Sequence, residues 1–187
     1  MIAGAKRWSV GVLNKNSFSR LVPVLIALLL LSACGYHFAG SAANKLPPGQ
    51  SLWVSFIKIE IDSPSAQTAL RRALLEESHA LRGLYPARTA ATADFCVNGN
   101  LRSYVVRTVS YSAQDQVKQF RLTIEVELEL TRKGETTPVW KGTVQSFQDY
   151  PANSSNLALQ RSSEEAALAA ASRILAQKFL MAVEQAY

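Results

Sequence analysis

Hydrophobic and polar residues alternate most strictly between Phe120 and Thr131. Leucine, isoleucine and valine occupy the even positions of 122–130, and threonine or glutamate occupies the odd positions of 123–131. A two-residue period is typical of a strand with one buried and one solvated face, in an antiparallel sheet covered on one side. Runs rich in valine, isoleucine, phenylalanine and tryptophan predict three further strands, at residues 51–61, 95–111 and about 139–147.

Two other segments carry apolar residues at helical spacing. Ser63 as N-cap and Pro64 in the first turn open the first helix, and Gly83 ends it. The polar residues 162–165 cap the start of the second helix, which runs to about Ala186.

The order β-α-β-β-β-α predicts an α+β fold, a two-layer sandwich in which two helices pack on one face of a four-stranded mixed sheet. The helices are expected to cover the face that holds Leu122 to Leu130. Because a right-handed β-α-β unit joins parallel strands, the first strand is expected to lie parallel to a neighbour.

Residues 1–33 are predicted to be a signal peptide. Four basic residues and no acidic residue accompany an apolar run from Leu21 to Leu31, which ends in small residues. This run is shorter than the roughly 20 apolar residues of a transmembrane helix, and Pro23 interrupts it. An uncleaved membrane anchor is therefore the weaker interpretation.

The run ends in Leu31-Ser32-Ala33-Cys34, which resembles the lipobox of bacterial lipoproteins. The resemblance implies that Cys34 receives a diacylglycerol, becomes the new N-terminus and is acylated, so that several acyl chains hold the protein stably on a membrane. Gly35 stands where an aspartate would imply retention in the inner membrane, so the resemblance implies the outer membrane of a Gram-negative cell, on its periplasmic side. Ordinary cleavage, with Cys34 a plain thiol, is the alternative. Residues 34–50 are interpreted as the lipidated N-terminus and a tether, and residues 51–187 as the folded domain.

Composition and charge narrow the function classes. A hydrophobic content of 48% excludes a disordered chain. The net charge is +6, but four of the 20 basic residues lie in the signal peptide, which leaves +2 for the remainder. A near-neutral domain is not a general nucleic-acid binder.

No enzyme is predicted. The chain lacks a nucleophile elbow, a glycine-rich phosphate loop and paired-cysteine or His-Glu-x-x-His metal patterns, so neither a cofactor nor a metal is implied. The row Glu125, Glu127 and Glu129 could supply paired carboxylates, but strict alternation favours a solvated face. A thiol hydrolase that uses Cys96 with His79 is a weak alternative, because Cys96 lies in an apolar strand and is expected to be a buried hydrophobe.

Three pieces of the sequence, in this order, are similar to the LptE family of lipopolysaccharide-assembly lipoproteins, and the likeness covers essentially all of the mature chain. They are CGYHF at residues 34–38, QFRLTI at residues 119–124, and Trp140-Lys141-Gly142 followed by Ser146 and Tyr150. The resemblance implies a 1:1 plug inside the lumen of the LptD outer-membrane β-barrel. Such a protein helps the barrel fold and helps deliver lipopolysaccharide to the outer leaflet. A polar, mixed-charge surface is compatible with a barrel interior.

The resemblance also implies basic residues that bind lipopolysaccharide phosphates. One family position precedes the last helix, and Arg161 matches it with arginine in place of lysine. The second lies in the turn between strands two and three, where residues 112–116 carry no basic residue.

Two other basic residues could replace the missing one, judged by which face of its strand each residue lies on. If Leu101 and Val105 face the core together with the even residues of the next strand, then Arg107 and Lys118 lie on that face near the hairpin tip. We hypothesise that Arg161 and Lys118, with Arg107 as a further candidate, bind lipid A phosphate. Extension of these side chains into water is the alternative.

Two structural and functional alternatives stay open at this point. Phe120 is expected in the core, whereas Tyr111 either joins the core or contacts acyl chains or the barrel wall. A generic outer-membrane lipoprotein, which serves another envelope assembly machine or the cell wall, would share the fold without a stable association with LptD.

Overall fold

The computed structural model describes residues 45–55, 58–59, 63–153 and 155–186, so the predicted signal peptide, lipobox and Cys34 lie outside the described residues. Within these ranges two long helices and six strand segments follow one another. They are β1 (Ser51–Val54), β2 (Lys58–Ile59), α1 (Pro64–Arg82), β3 (Tyr85–Pro86), a 3-10 turn (Ala90–Thr92), β4 (Phe95–Tyr111), β5 (Val117–Arg132), β6 (Trp140–Pro151) and α2 (Leu157–Gln185).

The strands form one mixed sheet in the order β3-β1-β4-β5-β6, and β2 also pairs with β4. Strands β1, β2 and β3 lie parallel to their neighbours, whereas β4, β5 and β6 are antiparallel. The predicted α+β class, the mixed sheet and the parallel first strand are confirmed.

The strand count differs from the predicted four. The expected first strand is described as two short segments, β1 and β2, and a further short strand, β3, follows α1. Tyr85 and Ala87 donate backbone hydrogen bonds to β1 and its flank, but Pro86 between them has no N–H. A two-residue strand at a sheet edge leaves too weak a pattern to predict.

Helix α1 begins and ends at the predicted residues, although the Ser63 side chain makes no capping hydrogen bond. Pro64 occupies the first turn, and Gly83 adopts the left-handed conformation with a φ of 65°. The Gly83 and Leu84 amides bond back to the carbonyls of His79 and Ser78, which satisfies carbonyls that the helix end would otherwise leave free.

Helix α2 begins five residues before the predicted start. The Asn156 side-chain oxygen accepts hydrogen bonds from the amides of Ala158 and Leu159 at 3.0 and 3.1 Å. Asparagine is among the strongest N-caps. The helix therefore starts after Asn156 rather than at the later serines Ser162 and Ser163. Arg161 therefore lies in the second turn of α2 rather than in the preceding loop. By length and composition α2 could cross a membrane, but 50% of its most apolar stretch is buried inside the domain.

The core lies between the sheet and the helices, as predicted. The even residues of β5 from Leu122 to Leu130 are fully buried, and so are Leu168, Leu175 and Phe179 of α2. The odd residues of β5 face the other side of the sheet, which we call the outer face.

A β-bulge at Arg102 reverses the facing of β4. Leu101 pairs with Val126, but Ser103 pairs with Glu125, so one extra residue lies between two successive pairs. Beyond the bulge Tyr104 shares the helix-covered face, while Val105 and Arg107 share the outer face with odd residues of β5. The prediction that Val105 and Arg107 face the core was wrong, because it assumed an unbroken two-residue period.

Candidate functional site

An open apolar groove lies where the β4–β5 hairpin meets the start of α2. We call it the tip groove, and it encloses about 490 Å³. Phe120 forms part of its floor, packs against the core, and contacts the Tyr150 ring at 5.6 Å, as expected. Leu157 on its rim is 66% exposed, and Tyr111 at the hairpin end is 60% exposed, which excludes Tyr111 from the core. The lining residues are Gln116, Val117, Phe120, Ala152, Asn153, Leu157 and Gln160.

Two of the three predicted basic residues are chain neighbours of residues that line this groove, although neither lines it itself. Lys118 follows the lining residue Val117, and Arg161 follows the lining residue Gln160. Both side chains are exposed, and neither has an ion pair within the described part of the chain. Lys118 has no partner in the β4–β5 register, since Ser110 pairs with Gln119 and Tyr111 with Val117, so its placement on the helix-covered face stays a prediction. Arg107 lies on the outer face, away from the other two.

A polar cluster holds α2 against the hairpin below the groove. The Tyr104 hydroxyl donates to Glu164 Oε1 at 2.8 Å. Burial, reinforced by Glu164, raises the pKa of Tyr104 and raises that of Tyr150 to about 12. Both phenols are therefore protonated at neutral pH and can donate to this carboxylate. The Asn153 backbone amide also donates to the Gln160 side chain at 2.7 Å. Two of the residues that line the groove are therefore hydrogen-bonded to each other.

The residues of the strand-six motif hold the helix rather than a ligand. The Trp140 ring contacts Phe179 edge-on at 5.3 Å, and a Cβ on Gly142 would lie 2.8 Å from the Trp140 ring. The buried Ser146 hydroxyl donates to the Ala171 carbonyl at 2.7 Å. Trp140, Gly142, Ser146 and Tyr150 thus form one stripe on the helix-covered side of β6.

The outer face near the start of β6 carries a network of opposite charges. Lys141 Nζ lies 3.6 Å from Glu127 and 3.5 Å from Glu129, and Arg102 forms an ion pair with Glu127. Arg102, the nearer partner, hydrogen-bonds the Glu127 carboxylate, which lowers its pKa below the usual value. The glutamate row therefore lies on the solvated face, as the alternation predicted, with two of its three members already paired.

A second groove of about 400 Å³ crosses the outer face beyond the bulge. Arg107 and Arg121 line it together with Val105, Val109 and Thr123. Sequence reasoning missed this groove, because only the bulge places the β4 side chains on this face.

The family model described as LptE, lipopolysaccharide-assembly, matches residues 50–183.

The chain belongs to the LptE family.

It is therefore an envelope lipoprotein of lipopolysaccharide assembly. No curated protein sequence matches the chain. The fold of this LptE-family protein resembles that of a hypothetical protein from Chlamydia trachomatis, with a TM-score of 0.50 at 8% identity over 72% of this chain and 95% of that one. A protein from Xanthomonas campestris gives 0.50 at 17% identity over 75% and 93%. Rare lipoprotein B from Shewanella oneidensis gives 0.46 at 14% identity over 71% and 92%.

The geometry of this LptE-family protein does not join Cys96 to His79. Cys96 pairs with Thr131, on the outer side of β4, and burial raises the pKa of its thiol. His79 lies on α1, with Nδ1 3.0 Å from the Leu84 carbonyl. Cys96 is half-buried rather than fully buried as expected. Within the described ranges no group of three His, Cys, Asp or Glu residues could hold a metal ion.

Proposed function

We propose that this protein is anchored in the outer membrane through acyl chains on Cys34, on the periplasmic side, and occupies the lumen of the LptD β-barrel as a 1:1 plug. In that position it assists the folding of the barrel and helps deliver lipopolysaccharide to the outer leaflet. The observation that carries the proposal is the tip groove, an apolar groove whose lining residues Val117 and Gln160 are each followed in the chain by an exposed basic residue.

The tip groove matches an amphiphile that carries both acyl chains and phosphates. Phe120 and Leu157 supply apolar surface, and Leu157 is 66% exposed. Lys118 and Arg161 provide an ammonium and a guanidinium, which bind phosphate oxygens through charge-assisted hydrogen bonds. Since neither cation has an acidic partner within the described residues, both are available to a ligand.

The surface of the domain supports the plug. The outer face mixes Arg102 and Lys141 with Glu127 and Glu129, and the interior of an outer-membrane barrel is polar. A rigid domain also suits this place, because the tyrosine cluster and the strand-six stripe hold α2 on the sheet at both of its ends.

The test isolates the full-length, lipidated protein from outer membranes in mild detergent and identifies what accompanies it by mass spectrometry. We expect a stoichiometric large β-barrel. Recovery of the protein without a barrel would remove the plug and favour the generic outer-membrane lipoprotein. Cys34→Ala should remove the protein from the membrane fraction, since two or more acyl chains supply its stable anchoring.

The same preparation measures bound lipopolysaccharide. The double variant Lys118→Glu and Arg161→Glu should lose about tenfold or more of it, since charge-assisted contacts to phosphate become repulsive. The matched control is Arg88→Glu with Lys133→Glu, two exposed basic residues outside the tip groove, which should retain it. Equal loss in both variants would overturn the assignment of Lys118 and Arg161.

A further inference from the structure

The outer face beyond the bulge is unlike the rest of the sheet surface. We call it the distal outer face, and it consists of Val105, Arg107, Val109, Arg121, Thr123 and Phe147. Val109 is 41% exposed and Phe147 is 53% exposed, although sheet surfaces in water are normally polar. Bulges commonly re-aim side chains at functional surfaces, and this one places two valines and an arginine here.

Two guanidinium groups are neighbours on this surface. Arg107 lies directly opposite Arg121 in the β4–β5 register, where cross-strand Cβ atoms are about 5 Å apart and like charges are unfavourable. Arg121 is neutralised by Asp149, with two hydrogen bonds of 2.6 and 2.8 Å, and its guanidinium lies 4.5 Å from the centre of the Phe147 ring.

Arg107 lacks such a partner. In the part of the chain that the structure describes, its guanidinium makes neither an ion pair nor a hydrogen bond, and its side chain is exposed. The groove beside it holds hydroxyls from Ser103 and Thr123. The surface thus offers one unpaired guanidinium, a second that is already bridged, and apolar side chains on both sides.

We propose that the distal outer face is the surface that docks on the inner wall of the partner barrel, where it receives a carboxylate flanked by an apolar or aromatic side chain. This inference rests on the proposed function and names the face that makes the contact. Arginine and aromatic residues dominate protein–protein contact energies, and a carboxylate matches the guanidinium fork.

Two features favour a protein wall over a glycolipid. The valines, Phe147 and the arginines lie in adjacent rows of a sheet face, which suits another surface rather than acyl chains. The apolar groove that suits acyl chains lies on the other side of the hairpin, at Phe120 and Leu157.

The experiment places photoreactive p-benzoylphenylalanine in the full-length, lipidated protein, in place of Val109 or, as control, in place of Thr143. Thr143 lies on the outer face of β6 opposite Glu127, within the half whose charges are already paired. After irradiation of outer membranes, mass spectrometry identifies the adducts. We expect the Val109 position to form an adduct with the barrel in several-fold higher yield than the Thr143 position.

A charge reversal completes the test. Arg107→Glu should reduce the Val109 adduct and the co-isolated barrel by about tenfold, a size typical of lost interfacial charge pairs. Arg88→Glu, the same change at an exposed arginine elsewhere, should leave both within about twofold. An adduct with lipopolysaccharide or with a second copy, or no adduct although the barrel is recovered, overturns the inference and leaves the proposed function intact. Absence of the barrel from the wild-type preparation overturns both.

Discussion

The two halves of the outer face differ in how their charges are satisfied. In the half near the start of β6, which we call the proximal outer face, Arg102, Lys141, Glu127 and Glu129 neutralise one another. On the distal outer face Arg107 has no acidic partner in the described ranges, and Phe147 is exposed. A partner that approaches the proximal half must break existing ion pairs, whereas one that approaches the distal half supplies a missing charge. One sheet face thus contains a half whose charges are paired within the domain and a half with an arginine that can pair with a partner.

The boundary between the halves is the bulge at Arg102. The extra residue shifts the register of β4, and its own guanidinium joins the proximal network through Glu127. Arg102 is thus the extra residue of the bulge that places Val105 and Arg107 on the outer face, and it also belongs to the charge network of the proximal outer face. On the opposite side of the sheet the same shift directs Tyr104 toward Glu164.

Deletion of Arg102 together with Ser103 should have the largest effect, since it reverses the facing of β4 beyond Leu101. Tyr104 would then take the place of Ser103 opposite Glu125 and leave Glu164, and Arg107 would turn to the helix-covered face. Loss of the cluster and the reversed facing should lower the free energy of unfolding by about 3 kcal/mol or more. Urea denaturation followed by circular dichroism measures it. Deletion of Arg102 alone removes only the extra residue, keeps Ser103 opposite Glu125 and should leave the midpoint much closer to that of wild type; equal stability of the two variants would refute the role of the register.

Alkaline pH should have the next largest effect, on the cluster of Tyr104, Tyr150 and Glu164 that lies behind the distal outer face, on the helix-covered side of the sheet. Burial and Glu164 raise the pKa of Tyr150 to about 12 and raise that of Tyr104, against about 10 for an unfolded tyrosine. The folded state holds these protons more tightly, so their contribution is complete below about pH 10 and is lost as the pH rises through about 12.

Unfolding free energies from urea titrations between pH 8 and pH 11 test this dependence. The double variant Tyr104→Phe and Tyr150→Phe should be less stable than wild type at pH 8 and should lose less stability on going to pH 11. Thr143→Ser, which changes an exposed residue that does not titrate, should follow the wild-type slope. Parallel slopes for all three proteins would contradict the protonated-phenol account.

Acid should produce the smallest effect, in the proximal half. Arg102 and Lys141 lower the pKa of Glu127, so its stabilising contribution is present above the unfolded pKa and is lost as the pH falls through the folded one. Because the network is solvent-exposed, Glu127→Gln should shift the urea midpoint at pH 7 only slightly, and the shift should shrink as the pH falls below the unfolded pKa of glutamate. Gln145→Ala, an uncharged change on the same face, should show no pH-dependent difference.

Much of the frame follows from local sequence patterns. The alternation through β5, the turn at 112–116, and the boundaries of α1 at Pro64 and Gly83 are each set by residues close in the chain, so their periods and caps predict them. The outward placement of the glutamate row follows from the same period. The family resemblance gave the residues that later proved to hold α2 on β6.

The candidate surfaces depend on pairing between distant segments. The tip groove needs β5, the end of β6 and the start of α2 at one place, and the contact of Tyr104 with Glu164 joins residues 60 positions apart. The facing of Arg107 depends on a single unpaired residue in β4, and no local period reveals a bulge. Sequence alone thus determined the two helices, the three long strands and the dry face of β5. Only tertiary pairing decided the register, and with it which charges meet and which stay unpaired.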